Sequence, residues 1–435
     1  MFAWSRSFYG YWNLAFVTIV YAFTQGMFFT VGINVPIMAK ALGWNAAQYG
    51  LASTVYLVSL GLMCLVAGYL VPRVGARRLM LWFSALPALS VFGMSFVQET
   101  WQLYLCTAGI GVGAGLAAII AAPTIVGNWL HRRRGFGLAL VISSSALMAI
   151  IWSQISLLLL SSSGSYQTVL RVEGLMGLIA PVVAILFVRE RPADLGQTID
   201  GVPDAERAEL ARRQPRGRAY KTTEPWTAGR ALRHPVFWLI TLSTCFEAFV
   251  YNGLNAHQVS VFEASGLSVA TAVTAFGLVN TFGGIGRLLG GFLADYVEPR
   301  YLLAFFQTLL SVGLLFFALQ HSWSGSIYVY VVAVGLANGE IFLMATVLFT
   351  NYFGPEAFPA LAGLANPLQS LVFSGIGPVT VGALLDGFGS FVPVLIGLAV
   401  VNVVAAVLAL LGRPPRRRTR EGRVDVEPAT AQGTA

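Results

Sequence analysis

Phe391-Val-Pro-Val-Leu-Ile-Gly-Leu-Ala-Val-Val-Asn-Val-Val-Ala-Ala-Val-Leu-Ala-Leu-Leu411 runs for twenty-one residues without a charged side chain. At about 1.5 Å of rise per residue, a helix of that length matches the ~30 Å hydrocarbon core of a bilayer. Leu51–Leu70 has the same character, and ten further apolar stretches accompany these two. The expected spans are 12–38, 47–72, 78–97, 100–127, 134–160, 167–188, 236–262, 270–294, 301–320, 324–351, 357–385 and 390–411. A soluble domain cannot bury a dozen such segments, and in lipid only a helix or a closed barrel satisfies its own backbone. An all-α integral membrane protein with twelve transmembrane helices is the fold expected. The first span lacks the short apolar core and small-residue cleavage site of a signal peptide, so it reads as a retained helix.

Composition agrees: 56% of the 435 residues are hydrophobic and 11% are charged, against about 25% charged in soluble domains. The charges are sorted by side. With the N-terminus placed in the cytoplasm, 24 of the 27 Lys and Arg residues fall on the cytoplasmic side. Lys40 and Arg171 lie outside, and Arg287 lies within a span. The positive-inside rule therefore sets both termini in the cytoplasm, at a plasma membrane and, for a bacterial source, the inner one. The net charge of +8 is then a topology signal with attraction to anionic lipid, and it calls for no nucleic acid. Cys64, Cys106 and Cys245 all sit within spans, an odd set without metal-ligand spacing, expected to pack as small apolar groups.

The chain reads as a duplication. An offset of 223 carries Gly68-Tyr-Leu-Val-Pro72 onto Gly291-Phe-Leu-Ala-Asp295, Arg77 onto Arg300 and Leu79 onto Leu302. The same offset carries Asn128-Trp-Leu130 onto Asn351-Tyr-Phe353 and Gly43 onto Gly266. One ungapped shift serving distant places points to two parallel six-helix repeats, with a substrate site expected between them at mid-depth. The expected domains are 1–188 and 236–411, the two six-helix bundles, with a central loop at 189–235 and a tail at 412–435. The loop has no apolar period, is expected to be cytoplasmic, and holds at most a short surface helix near Asp204–Arg213.

Gly68-Tyr-Leu-Val-Pro-Arg-Val-Gly-Ala-Arg-Arg78 resembles the loop motif between helices 2 and 3 of the major facilitator superfamily. The resemblance makes Gly68, Arg73, Arg77, Arg78, Asp295 and Arg300 gating residues. Pro72 stands where the superfamily's motif carries Asp, whereas Asp295 keeps it in the second half. Tyr9-Gly-Tyr-Trp12, Leu42-Gly-Trp-Asn45, Trp129-Leu-His-Arg-Arg-Arg-Gly135, Asn351-Tyr-Phe-Gly354 and Gly382-Ala-Leu-Leu-Asp386 resemble the monocarboxylate transporter and oxalate/formate antiporter group. The resemblance covers all twelve spans and implies a secondary active transporter, a symporter of a small organic anion and a proton.

An ionisable group at the centre of a span is disfavoured by about 2.5–3.5 kcal/mol, so each asks for a reason. The first six spans hold none away from their ends by this reading; the last six hold Glu247, His257, Arg287 and Glu340. Counting the rise per residue sets Glu247, Arg287 and Glu340 about 12–16 Å from the inner face, which suggests one cluster with Arg287 between two carboxylates. Asn280, Gly284, Arg287 and Gly291 make one polar-and-small stripe on span 8. A guanidinium suits an anionic guest because it stays charged and presents a planar fork to two oxygens. The resemblance adds that monocarboxylate transporters keep a substrate-binding arginine at the position of Arg287. Gly283 departs from that group's acidic residue, Phe29 from the helix 1 lysine of its animal members, and no lysine occupies span 11, so a single cavity cation favours a monoanion. Glu247 and Glu340 are the expected proton carriers, since desolvation favours the neutral acid and a neighbouring Arg the carboxylate. Tyr251, Asn338, Asn366, Gln369 and Ser370 complete the expected substrate contacts, and His257 is expected to be a polar lining residue.

The plainer alternatives are a structural ion network around Arg287 or an arginine that snorkels to the inner surface. The glycine run Gly109–Gly115 imitates a nucleotide loop but follows no strand, so close helix packing is its expected role. No Walker motif, zinc-ligand spacing or nucleophile–His–acid arrangement appears, so neither an enzyme nor a cofactor is expected. The reading reached is proton-coupled transport of a small organic monocarboxylate by a monomer in the lipid bilayer. Efflux of amphipathic or cationic compounds, with Glu247 and Glu340 as binding charges, is the alternative; a non-transporting membrane sensor ranks below both.

Overall fold

The computed structural model describes residues 8–44, 46–202, 219–222, 226–319, 323, 325–339 and 341–415. Glu340, the short helix expected near Asp204–Arg213 and residues 416–435 of the expected tail lie outside the described residues. The first six rods are α1 (Gly10–Leu42), α2 (Ala46–Val74), α3 (Ala76–Phe83 with Ala85–Met94), α4 (Thr100–Ala114, Gly115–Ile119 and Ala121–Trp129), α5 (Arg134–Ser163) and α6 (Tyr166–Gly177 with Ile179–Phe187). After the central loop come α7 (Pro235–Ala264), α8 (Val269–Leu293) and α9 (Pro299–Leu319). Ser326–Asn338 and the first part of Ile341–Pro367 form α10; the remainder, with Leu368–Phe373 and Ser374–Phe388, forms α11, and Phe391–Leu411 is α12. Seven stretches among the described residues are long and apolar enough to cross a membrane by length and composition. The twelve rods fall on the twelve stretches read from hydropathy, with ends displaced by a few residues.

Local chemistry sets those ends. Gly43, Gly164 and Gly389 close α1, α5 and α11 in the left-handed conformation, with φ of 71°, 65° and 60°. Ser268 and Ser390 cap α8 and α12 by accepting from Thr271 N and Val392 N. Gly43 and its repeat partner Gly266 (φ 91°) both need positive φ, so the 223-residue offset carries a backbone requirement as well as a letter.

The packing repeats with the sequence. In the first half α1 packs along α5, α2 along α4 and α3 along α6; in the second, α7 packs along α11, α8 along α10 and α9 along α12. The halves meet through α2 on α11 and through α5 on α8, the same pair seen from each half. Small residues make both contacts. A Cβ on Gly68 would lie 2.7 Å from Pro359 O and 2.9 Å from Gly363 Cα, and one on Gly291 would collide with Ala139 Cβ. Such contacts tolerate no side chain because backbone, not a flexible tip, is on the other side. The run Gly109–Gly115 does what helix packing requires of it: a Cβ on Gly111 would lie 2.5 Å from Tyr56 O and one on Gly115 2.8 Å from Met63 Cβ, both on α2.

One turn stands apart. α10 passes into α11 without a loop, through Gly354 at φ 79° and ψ 164° inside the single stretch Ile341–Pro367.

Candidate functional site

Arg287 sits on α8, half-buried, beside Gly339 at the end of Ser326–Asn338. Arg287 Nε donates to the Gly339 carbonyl at 3.0 Å. The approach is allowed by glycine: a Cβ on Gly339 would clash with the Gly283 carbonyl and lie 2.6 Å from Arg287 N. A Cβ on Gly284, by contrast, would meet nothing within 4 Å. Asn280 is exposed on the same stripe, while Leu288 and Phe292 beside it are exposed apolar surface.

Arg287 lies within electrostatic reach of two phenols, Tyr251 on α7 and Tyr21 on α1 in the other half. Tyr251 Oη accepts from Asn255 Nδ2 at 2.8 Å and shares a hydrogen bond with Asn338. Arg287, Tyr251 and Asn338 therefore form one group, and Tyr21, which sequence reasoning passed over, joins it. A tyrosine about three turns into an apolar helix carries no local signal that it will face a cation from a distant helix.

Glu247 belongs elsewhere. It is fully buried, and its Oε2 accepts from Gln307 Nε2 on α9 at 3.0 Å. The same cluster takes in Ser243, whose Oγ donates to Ala405 O at 2.8 Å, and Asn402 on α12, whose Nδ2 donates to Gln307 O at 2.6 Å. Glu247 Oε1 is buried without a hydrogen-bond partner. The cluster expected from depth, with Glu247 flanking Arg287, is thus not assembled here: helical rise fixes level but not azimuth, and Glu247 faces α9 and α12.

The first half is not free of buried charge either. Glu173, two turns into α6, is fully buried; Ser156 Oγ of α5 donates to its Oε1 at 2.5 Å and Asn34 Nδ2 of α1 to its Oε2 at 3.1 Å. Its nearness to a predicted span end hid it. The remaining expected contacts sit on α11. Ser370 Oγ donates to Asn366 O at 2.8 Å, and Gln369 Nε2 to Thr244 O of α7 at 3.2 Å. Both Gln369 and Ser370 lie in the π-helical stretch Leu368–Phe373, a distortion often found at functional sites. His257 Nε2 meets Pro378 O at 2.9 Å, tying α7 to α11.

The loop-motif residues gather on the face that carries the central loop. Asp295 accepts from Gly135 N and Phe136 N, both at 2.9 Å, and so caps the first turn of α5 in the opposite half. Arg134 Nη1 reinforces the contact by donating to Thr350 O at 2.7 Å. Arg77 Nε donates to Val188 O at 2.6 Å, just past the end of α6, and Arg73 lies over the Tyr69 ring at 3.5 Å. Arg300 Nη2 donates to Tyr301 Oη at 2.6 Å. Pro72, lacking the acid, opens onto a cavity of about 650 Å³ lined by Arg73, Arg77, Arg78, Glu190, Asp194 and Glu356 among others. The two junctions between the halves are therefore chemically unlike.

Sequence reasoning missed a further gate residue. Lys221 Nζ donates to His131 O, to Arg132 O at 3.0 Å and to Asp295 Oδ1 at 3.4 Å. Burial pushes its pKa down from 10.5 to about 8, and burial likewise raises that of Asp295. Its rarity was the available signal, since Lys40 and Lys221 are the only lysines in a chain rich in arginine.

Comparison with known proteins follows this geometry. A sequence profile of the Major Facilitator Superfamily matches residues 14–375 and 288–433. The structure is similar to that of the E. coli fucose:proton symporter FucP, with a TM-score of 0.67 over 92% of this chain and 98% of that one at 14% identity. A putative tartrate transporter of Agrobacterium vitis is 25% identical, covering 88% of this chain and 85% of its own. The aspyridones efflux protein apdF of Emericella nidulans is 25% identical over 84% and 68%. Matches to two fungal transporters cover less: 41% of ESBP6 of Saccharomyces cerevisiae and 58% of pynF of Aspergillus niger. With the profile spanning most of its length and the twelve-helix architecture in place, the chain belongs to the Major Facilitator Superfamily.

Proposed function

We propose that this secondary transporter moves a small organic monocarboxylate by alternating access, with Arg287 as the anion-binding group. The observation that carries the reading is the seat of Arg287: anchored by Nε on the Gly339 carbonyl at the end of Ser326–Asn338 and grouped with phenols from both halves. A guanidinium held that way is pre-organised for a carboxylate. Tyr251, Asn338 and Tyr21 would complete the pocket, and Asn366, Gln369 and Ser370 would line its α11 side. The putative tartrate transporter and a gallate transporter of Pseudomonas putida, 22% identical over 88% of this chain, are named for carboxylates, which supports an anionic substrate.

Glu247 is the proposed proton carrier, acting at a distance from Arg287 through the α7–α9–α12 cluster; Glu340 stays a second candidate. The termini and central loop are assigned to the cytoplasm, so the packed junctions shut that side and the protein faces outward. Orientation, inner-membrane location and a monomeric state belong to the same proposal. Efflux of an amphipathic compound is a second reading, favoured by similarity to proteins named for aspyridones efflux and multidrug resistance.

The deciding experiment is counterflow in proteoliposomes with a panel of short carboxylic acids and of lipophilic cations. Acids are expected to exchange and cations not. Arg287→Ala is expected to abolish exchange with the protein still in the membrane; near-normal exchange in that variant removes the assignment.

A further inference from the structure

The short segment Ala219–Thr222, the end of the central loop's crossing, reaches both halves at once. Tyr220 N donates to Glu298 Oε2 at 2.7 Å, Thr222 N to Asn351 O at 2.7 Å, and the Tyr220 ring meets Tyr352 edge-on with centroids 5.7 Å apart. Glu298 is itself held by Tyr352 Oη at 2.5 Å. Residues 220 and 222 are thus fastened to the second half. Lys221 between them reaches the other way, onto the carbonyls of His131 and Arg132 in the first half and onto Asp295. These carbonyls belong to the short turn between α4 and α5. Asp200, from the loop's opposite end, accepts from His131 N and Arg132 N at 2.9 Å, so the same two residues are held from both sides.

The charges close only as a set. Asp295 is nearly buried, and it gathers two amides of α5 and one ammonium; Lys221 is buried to a similar degree, with side-chain exposures of 11% and 6% for the pair. Removing one member of a buried pair leaves the other charge desolvated without a partner, which costs far more than replacing both. Parting α5 from α8 breaks the Asp295 cap and frees Lys221 into water.

We propose that Lys221 is the counter-charge of a cross-bundle latch, through which the central loop sets how readily this face of the transporter parts. Loop and gate are then one device. Asp295 grips the first turn of α5, and the strap returns a positive charge to it from the connection between the halves. The second junction, α2 on α11, has glycine contact and a cavity in place of a charged grip. Release of the face therefore turns on the α5–α8 junction and on whether residues 219–222 stay docked.

The test is a distance measurement across that face without any substrate, so its failure is separate from failure of the carboxylate reading. Spin labels at Arg78→Cys and Val297→Cys, in a background with Cys64, Cys106 and Cys245 replaced by Ala, report separation in lipid nanodiscs by pulsed electron resonance. Lys221→Met is expected to raise the long-distance population about tenfold, a ratio equal to 1.4 kcal/mol. Lys221→Met combined with Asp295→Asn is expected to return most molecules to the short distance, because neither charge is then stranded. A Lys221→Met distribution that superimposes on the unsubstituted one overturns the proposal, as does a double variant no more closed than the single. Should Lys221→Met not give monodisperse protein, Lys221→Gln carries the same comparison.

Discussion

At the scale of single residues, the two ionisable groups best visible in the sequence take separate duties. Arg287 sits in the group formed with Tyr251, Asn338 and Tyr21, whereas Glu247 is enclosed by Gln307 and its neighbours on α9 and α12. That separation yields a clean expectation. Glu247→Gln keeps the hydrogen-bonding shape but removes the proton site, so substrate exchange should persist while pH-driven accumulation falls at least tenfold. Counterflow and proton-gradient uptake, measured on one preparation, check it; full accumulation in the variant returns the coupling role to Glu340. Helical rise gives each residue a level along its own helix. Their facing was not legible in the sequence, because azimuth depends on which neighbour each helix meets, and Glu247 is turned by contacts some sixty and more residues away. Glu173 escaped for a related reason: its burial comes from Asn34 and Ser156, neither near it in sequence.

Among whole elements, the junctions between halves are the parts most exposed to a single substitution. Gly68 packs on the Pro359 carbonyl and the Gly363 Cα, so a larger side chain can be accommodated only by separating α2 from α11. Gly68→Val is expected to destabilise the packed state by about 1–3 kcal/mol, the usual range for overpacking. The spin-label pair would then show the long distance, and Gly284→Ala, with open space around it, would not. The repeat itself was plain in the sequence, since the 223-residue offset links Gly68 to Gly291 and each lies at a junction. The partner of Arg287 was not plain: nothing in the sequence says that its guanidinium takes the Gly339 carbonyl at the end of Ser326–Asn338.

For the molecule as a whole, alternation between two states makes acidity a lever on shape. In the packed state Lys221 has a pKa near 8, whereas in water it would hold its proton to about 10.5. Between those values the packed state binds fewer protons than the parted one, so raising pH through that window favours packing. This holds because the neutral amine still donates to the His131 and Arg132 carbonyls and to Asp295, whereas methionine at this position offers no donor. Asp295 works at the other end: its raised pKa means the packed state binds more protons in the acid range, so lowering pH there favours packing too. Arg134 and Asp200 face the same pair and act on Lys221 with opposite signs. Parting should thus be easiest near neutrality, and the long-distance fraction should fall from pH 8 to pH 10. Lys221→Met should flatten that fall; an unchanged profile in the variant would assign it to another group. Gly354 has a mechanical consequence of its own. It bends the chain between the helix that Arg134 meets at Thr350 and the helix pressed on Gly68, so a guest that shifts one is felt at the other through a joint one residue long.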